Sequence, residues 1–142
     1  MRKRIPKILV TGGAGFIGSA FVRRLTKGMS LKETVPEVII IDKLTYAGDL
    51  KRLKDVKGGF KFYKTDIGNK KQIDLIFSKE KPEIVVHFAA ESHVDRSIND
   101  ATPFIETNIK GTQILMDASR KFRVKKFISI STDEVYGEIS KG

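Results

Sequence analysis

KILVTGGAGFIG, residues Lys7–Gly18, decides how the rest of the chain is read. A short apolar run, Ile8-Leu9-Val10, meets three spaced glycines, Gly12, Gly15 and Gly18. An apolar helical pattern then follows through Phe21, Val22 and Leu25. The spacing predicts a strand, a tight turn and the N-terminus of a helix. So tight a turn needs a residue that tolerates positive φ, and a pyrophosphate can come close only to bare backbone. The free N–H groups and positive dipole end of the next helix then face the phosphates. An ordinary strand-to-helix loop also uses glycine, so the triplet needs context. A second apolar run, Val38 to Ile41, supplies it by ending at Asp42. That matches the ~20 residues beyond the glycines at which a carboxylate accepts hydrogen bonds from ribose hydroxyls. Together the two runs predict a dinucleotide site.

The 142 residues suit one domain, large enough to bury about two-thirds of the surface it would expose unfolded. A hydrophobic content of 40% beside 31% charged residues fits a soluble globular protein. No apolar run approaches the ~20 residues needed to span a bilayer, so no membrane association is expected. The opening MRKRIPKILV is basic, then apolar, but its apolar part soon meets glycines, and a secretory signal is not expected. The chain has no cysteine, which excludes disulfides and thiolate metal sites and says nothing against the cytoplasmic home expected of it; no metal is expected. The formal charge of +10 is spread along the chain, with small clusters at Arg2–Arg4, Lys70-Lys71 and Lys125-Lys126. A nucleic-acid protein concentrates such charge on one face of a recognisable module. None is visible, so nucleic acid is not an expected partner. A lysine-rich solvated surface, with some attraction for an anionic nucleotide, accounts for the charge.

Taken in order, the pattern predicts a strand at Lys7–Thr11 and a helix at Phe16–Lys27, stopped by Gly28. A surface loop over Met29–Glu37 leads to a second strand, Val38–Asp42, continuously apolar as in a parallel sheet covered on both faces. A short helix at Asp49–Leu53 and a Gly58-Gly59 turn precede a third strand, Phe60–Lys64. Asn69 is the expected N-cap of a helix reaching Lys81, with Ile73, Ile76 and Phe77 at helical spacing and Pro82 beyond. Strand Glu83–Phe88, a long helix Pro103–Lys121 and strand Lys126–Ser131 complete the series. Five strands alternating with helices predict an α/β fold, a Rossmann-type doubly wound parallel sheet in order 3-2-1-4-5. In such a sheet ligands sit outside the carboxyl ends of the strands. Five segments therefore converge there: Gly12–Gly18, Asp42–Thr45, Asp66-Ile67, Phe88–Ser92 and Ser131–Glu134. His87, inside an apolar strand, reads as a satisfied core histidine.

Five strings carry a resemblance across nearly the whole chain: TGGAGFIGS, IDKLTYAGD, AAESHVDRSI, FIETNIKGT and ISTDEVYG. With them the chain resembles the extended short-chain dehydrogenase/reductases, and within that family the dTDP-glucose 4,6-dehydratases. ISTDEVYG is the most specific, because epimerases and decarboxylases of the superfamily do not, as a rule, carry an Asp-Glu pair after the threonine. The resemblance implies NAD as cofactor and dTDP-glucose as substrate, in nucleotide-sugar metabolism leading to dTDP-rhamnose, with the intact enzyme a homodimer. It also implies a lyase in which the hexose is oxidised at carbon 4, water leaves across carbons 5 and 6, and hydride returns to carbon 6. Glu134 is then the base for the carbon-5 proton, and Asp133 the acid for the departing carbon-6 hydroxyl. Neighbouring carboxyl groups can divide these roles because environment separates their pKa values. Thr132 would hydrogen-bond the sugar near carbon 4. As plain sequence, Thr132-Asp133-Glu134 is also compatible with a helix-capping turn.

For the cofactor, the resemblance assigns the backbone amides of Phe16 and Ile17, beside Gly12, Gly15 and Gly18, to the pyrophosphate. It gives Asp42 the adenosine ribose, with Lys43, Leu44 and Thr45 in the same pocket. Asp66 and Ile67 would meet the adenine. Phe88, Ala89, Ala90, Ser92 and Thr107 would run beside the nicotinamide half, Ser92 also near the substrate. Asn108 serves the backbone nearby, and His93, Asp95 and Arg96 match the family string without an assigned role. One departure stands against these matches. The superfamily places a Tyr-x-x-x-Lys pair on the helix after the fifth strand, and none of Tyr46, Tyr63 and Tyr136 has lysine four residues later. Residues 1–142 are therefore expected to be an NAD-binding domain cut before that helix and before a C-terminal substrate domain, inactive alone. The rival readings are another nucleotide-sugar dehydratase or 4-epimerase of the superfamily, and a non-catalytic nucleotide-binding module.

Overall fold

The computed structural model describes residues 5–27, 35–56, 59–132 and 137, with only the backbone at 94, 96 and 97. Strands β1 (Lys7–Thr11), β2 (Glu37–Asp42), β3 (Lys61–Lys64), β4 (Ile84–His87) and β5 (Lys126–Ser129) form one sheet. Their order is β3-β2-β1-β4-β5, all neighbours parallel, as the alternation of patterns predicts. The apolar runs of β1 and β2 are buried on both faces, which puts them at the centre. β3 and β5 carry lysines and only partly buried aromatics, which suits the edges.

Side-chain alternation splits the core into two halves. Leu9, Ile39, Ile41 and Val85 face α2 (Lys70–Glu80) and the long helix after β4, packing on Ile73, Ile76, Phe77, Ile114 and Leu115. Ile8, Val10, Val38, Ile40 and Val86 face the other way, toward α1 (Phe16–Lys27), where Val22, Ala14 and Leu53 close the layer. α1 has the bounds read from the sequence; Gly28 and Gly58 lie outside the described residues. Asn69 caps α2 by accepting the Gln72 N–H, and the helix ends at Lys81 in the left-handed conformation, φ 50°. Helix-breaking Pro82 follows.

Three local departures concern the helices. The expected short helix is a single 3₁₀ turn, Leu50–Leu53, capped by the Asp49 carboxylate. A short helix, α3 (Val94–Asn99), fills what reads as loop. The long helix begins at Thr102, before Pro103, as α4 (Thr102–Phe104) and continues as α5 (Thr112–Lys121). Between them Ile105–Gly111 is π-helical, a rare form found mostly at functional sites. Gly111 at its end lies so close to the sheet side that an added Cβ would stand 2.6 Å from Ile67 Cγ1.

At the N-terminal ends of the strands, charge ties neighbours together. Lys7 pairs with Glu37, Glu37 with Lys61, and Lys61 with Glu80, whose other oxygen accepts the Tyr63 hydroxyl at 2.5 Å. Lys125 pairs with Glu83 at 2.6 Å at the entry to β5 and β4. Among the described residues no helix is long and apolar enough to cross a membrane.

Candidate functional site

At the opposite, C-terminal ends of the strands the chain leaves the sheet four times around one cleft. Gly12 opens the turn after β1 with φ 68°, and its N–H donates to Ile41 C=O at 2.8 Å, so the turn leans on β2. A Cβ on Gly12 would stand 2.7 Å from Ala89 N, so glycine is needed for space as well as for φ. Gly18 lets the first turn of α1 lie against the Gly12 carbonyl. The first N–H groups of α1 have no intrahelical acceptor. Phe16 and Ile17, which begin the helix, are 83% and 63% exposed.

Asp42 ends β2 and is 9% exposed. Its Oδ2 accepts the Ala14 N–H at 2.9 Å and its Oδ1 the Leu44 N–H at 2.8 Å. One carboxylate thus joins the glycine turn to the loop after β2 and keeps lone pairs for a further donor. Leu44 reaches it with φ 56°, unusual for a non-glycine residue, and packs its side chain on the α1-side core. Ala14 C=O in turn accepts from Asp49 N–H at 3.0 Å and from the Arg52 guanidinium at 3.1 Å.

Asp66, after β3, forms a 2.6 Å ion pair with Lys43 and accepts the Gly68 N–H at 2.8 Å. Burial alone would raise its pKa, but the Lys43 ammonium and the Gly68 N–H outweigh it and hold the carboxyl below its ordinary value. Behind the loop after β4, His87 bridges Thr11 (Nδ1 to Oγ1, 2.7 Å) and Thr112 (Nε2 to Oγ1, 2.9 Å). Burial pushes its imidazole down to about 4, so it is neutral at pH 7. It is the satisfied core histidine that its place in an apolar strand predicts. Asn108, in the π-helical segment, accepts Glu91 N–H at 2.8 Å and donates to Glu91 C=O at 2.9 Å, fixing that loop by its backbone.

The cleft brings together Gly12, Gly15, Asp42, Lys43, Thr45, Asp66, Ile67, Phe88, Ala89, Ala90 and Thr107 of the residues singled out in the sequence. Its cavity volume of about 110 Å³ is below the roughly 300–1,000 Å³ of pockets that enclose whole ligands. Such a cleft takes one part of a long ligand and leaves the rest along open surface. Gly18 is buried and Leu44 packs on the core, while Phe16 and Ile17 are exposed, and none of the four is in the lining. Ser92 and Thr132 are exposed and outside the lining; Asp133 and Glu134 lie outside the described residues. Ala47, Gly48, Thr65 and Glu91 also line the cleft. Each sits within three residues of a predicted one, and Gly48 had a sequence signal, a glycine where a Cβ would stand 2.9 Å from Asp42 Oδ1. Among the described residues no group of His, Asp or Glu side chains is placed to hold a metal ion.

Residues 9–142 match the family model described as GDP-mannose 4,6 dehydratase. The dTDP-glucose 4,6-dehydratase of Salmonella typhimurium (strain LT2) is 49% identical over 144 aligned residues, covering 94% of this chain and 38% of its own length. A crystal structure of the Streptomyces venezuelae dTDP-glucose 4,6-dehydratase with NAD and TYD bound superposes with a TM-score of 0.87 at 45% identity, covering 96% of this chain and 42% of that one. The Thermotoga maritima UDP-glucose 4-epimerase with UDP-glucose gives a TM-score of 0.83 at 38% identity, over 96% and 41%. The chain spans about two-fifths of the length of the curated relatives it matches.

Proposed function

The chain belongs to the GDP-mannose 4,6 dehydratase family, and from that premise we propose that it is the NAD-binding domain of a dTDP-glucose 4,6-dehydratase. The observation that carries this reading is the meeting of the glycine turn, Asp42 and Asp66 on one cleft at the carboxyl ends of β1, β2 and β3. The residues present fit a dinucleotide. The first turn of α1 offers N–H groups to a pyrophosphate, and Asp42 keeps acceptor capacity for ribose hydroxyls. Asp66 and Ile67 form the wall for adenine. Thr107 and Phe88–Ala90 line the side toward the nicotinamide. When bound, the nicotinamide supplies a reversible hydride acceptor.

The protein's own groups would do the proton chemistry. Glu134 takes the carbon-5 proton of the hexose, made acidic by a ketone at carbon 4. Asp133 delivers a proton to the carbon-6 hydroxyl as it leaves, and Thr132 and Ser92 hold the sugar. The Asp-Glu pair, rather than the fold, favours dehydration over epimerisation. The superfamily's Tyr-x-x-x-Lys pair and a substrate domain would complete the site in a longer protein, which we take to be a cytoplasmic homodimer without nucleic-acid or membrane partners.

Two measurements test the reading. NAD titrated into the 142-residue chain should bind weakly, and Gly12→Val should abolish binding. The full-length protein, given dTDP-glucose, should yield dTDP-4-keto-6-deoxyglucose. A 4-epimer as sole product would overturn the dehydratase assignment, and failure of the chain to bind NAD would overturn the cofactor assignment.

A further inference from the structure

Lys43 is the only cation lining the cleft among the described residues, and it is not free. Its Nζ lies 2.6 Å from Asp66 Oδ2. The nearby Arg52 lies outside the lining, and its Nη1 donates to the Ala14 and Ala47 carbonyls, at 3.1 and 2.6 Å. A ribose placed against Asp42 therefore meets one carboxylate directly, and the one cation that lines the cleft is neutralised by a second. A 2′-phosphate needs a cation at this place, whereas a 2′-hydroxyl needs only an acceptor. Asp66 is well fixed for the task, because its Oδ1 is anchored by the Gly68 N–H at 2.8 Å while Oδ2 holds the lysine.

We propose that Asp66, by holding Lys43, is a second determinant of NAD over NADP selectivity, acting beside Asp42. The inference rests on the reading of the cleft as a dinucleotide site. Asp66 has two effects on a 2′-phosphate: its own charge repels the anion, and its grip on Lys43 withholds the counter-charge. The pair joins two loops that leave adjacent strands, so discrimination is shared between the ends of β2 and β3.

The test titrates NAD and NADP into the 142-residue chain at one fixed ionic strength and reads the ratio Kd(NADP)/Kd(NAD). Both nucleotides carry the same adenine, so any damage to adenine binding cancels in the ratio, and partial unfolding of a variant cancels with it. Asp66→Asn keeps an oxygen acceptor for Gly68 and removes the charge. It should lower the ratio about fivefold, the scale of a partly exposed ion pair. Asp66→Ser should act in the same direction and serves if the asparagine variant folds poorly. In Asp66→Asn combined with Lys43→Met, the ratio should return to within about twofold of wild type. An unchanged ratio in Asp66→Asn and Asp66→Ser overturns the proposal. So does a gain that persists undiminished without Lys43, since it would mean that removal of negative charge alone suffices. If the wild-type chain bound neither nucleotide, the cofactor reading itself would fall; NAD binding with an unmoved ratio removes this inference alone.

Discussion

Replacing Gly18 by alanine sets helix propensity against packing, and the structure says which wins. Gly18 is in the first turn of α1, where alanine is worth about 1 kcal/mol over glycine. Its Cβ, however, would collide with the Gly12 carbonyl oxygen, lie 2.9 Å from that carbonyl carbon and 3.1 Å from Gly13 Cα. Ordinary van der Waals contact begins at 3.4 Å, so the deficit at the carbon alone is about half an ångström, and the neighbours are backbone on both sides. Relief requires α1 to withdraw from the turn and loosen buried Ser19, Val22 and Thr26. Overpacking of this kind costs about 3 kcal/mol at the upper end of its usual range. The net loss should be about 2 kcal/mol, or a Tm lower by roughly 8 °C for a chain of this size. NAD affinity should fall as well, because the first-turn amides move with the helix. Gly15→Ala is the comparison, since its Cβ would meet only Gly12 O at 3.1 Å. It should shift Tm by no more than about 2 °C yet still weaken NAD by crowding the pyrophosphate approach. Thermal unfolding and calorimetric titration read both. A Gly18→Ala chain as stable and as tight as wild type would refute the packing argument.

The buried imidazole of His87 titrates near 4 when folded, against 6.5 when free, so the unfolded chain binds more protons between those values. Stability is complete above pH 6.5 and is lost as pH falls toward 4; the urea midpoint should report a drop of about 2 kcal/mol from pH 7 to pH 5, and a flat profile would refute it. Glu80→Gln, which leaves Tyr63 and Lys61 facing an uncharged amide, should cost about 1–3 kcal/mol in the same assay; an unchanged midpoint would make the cluster decorative. In the full-length enzyme, Glu134→Gln should stop solvent exchange at carbon 5 and Asp133→Asn should slow loss of the carbon-6 hydroxyl, each by about 10²–10⁴-fold. Isotope incorporation and cofactor absorbance followed together would show whether either variant turns over like wild type, which would remove these residues from the mechanism.

What could be read from the sequence follows from how local each signal is. The sheet order, the central strands and α1 come from continuous apolar runs and caps that act over a few residues, and they match the structure. The cleft also follows, because the doubly wound topology alone brings the ends of β1, β2, β3 and β4 together. α3 was not legible: Val94–Asn99 is six residues long, and its Ile98 is 78% exposed, so no apolar face marks it. Nor was the π-helical stretch, since IETNIKG suits an ordinary helix and the close approach of Gly111 to Ile67 is a tertiary matter. The second use of Asp42, holding the turn through Ala14 and Leu44, and the Lys43–Asp66 pair depend on side-chain directions that spacing does not encode.

The two ends of the sheet are held by different means. At the N-terminal ends, Lys7, Glu37, Lys61 and Glu80 run as one chain of ion pairs across β1, β2 and β3. At the C-terminal ends the strands run out into loops around an open cleft, tied by the hydrogen bonds of Asp42 and Asn108 and by the one Lys43–Asp66 ion pair. Local opening takes the route with the fewest buried contacts, so the sheet would fray from the ligand end while its base stays closed. A nucleotide bridging those loops would close the fraying end. Amide protons just past the strand tips would then gain protection from exchange, while those at the base would change little.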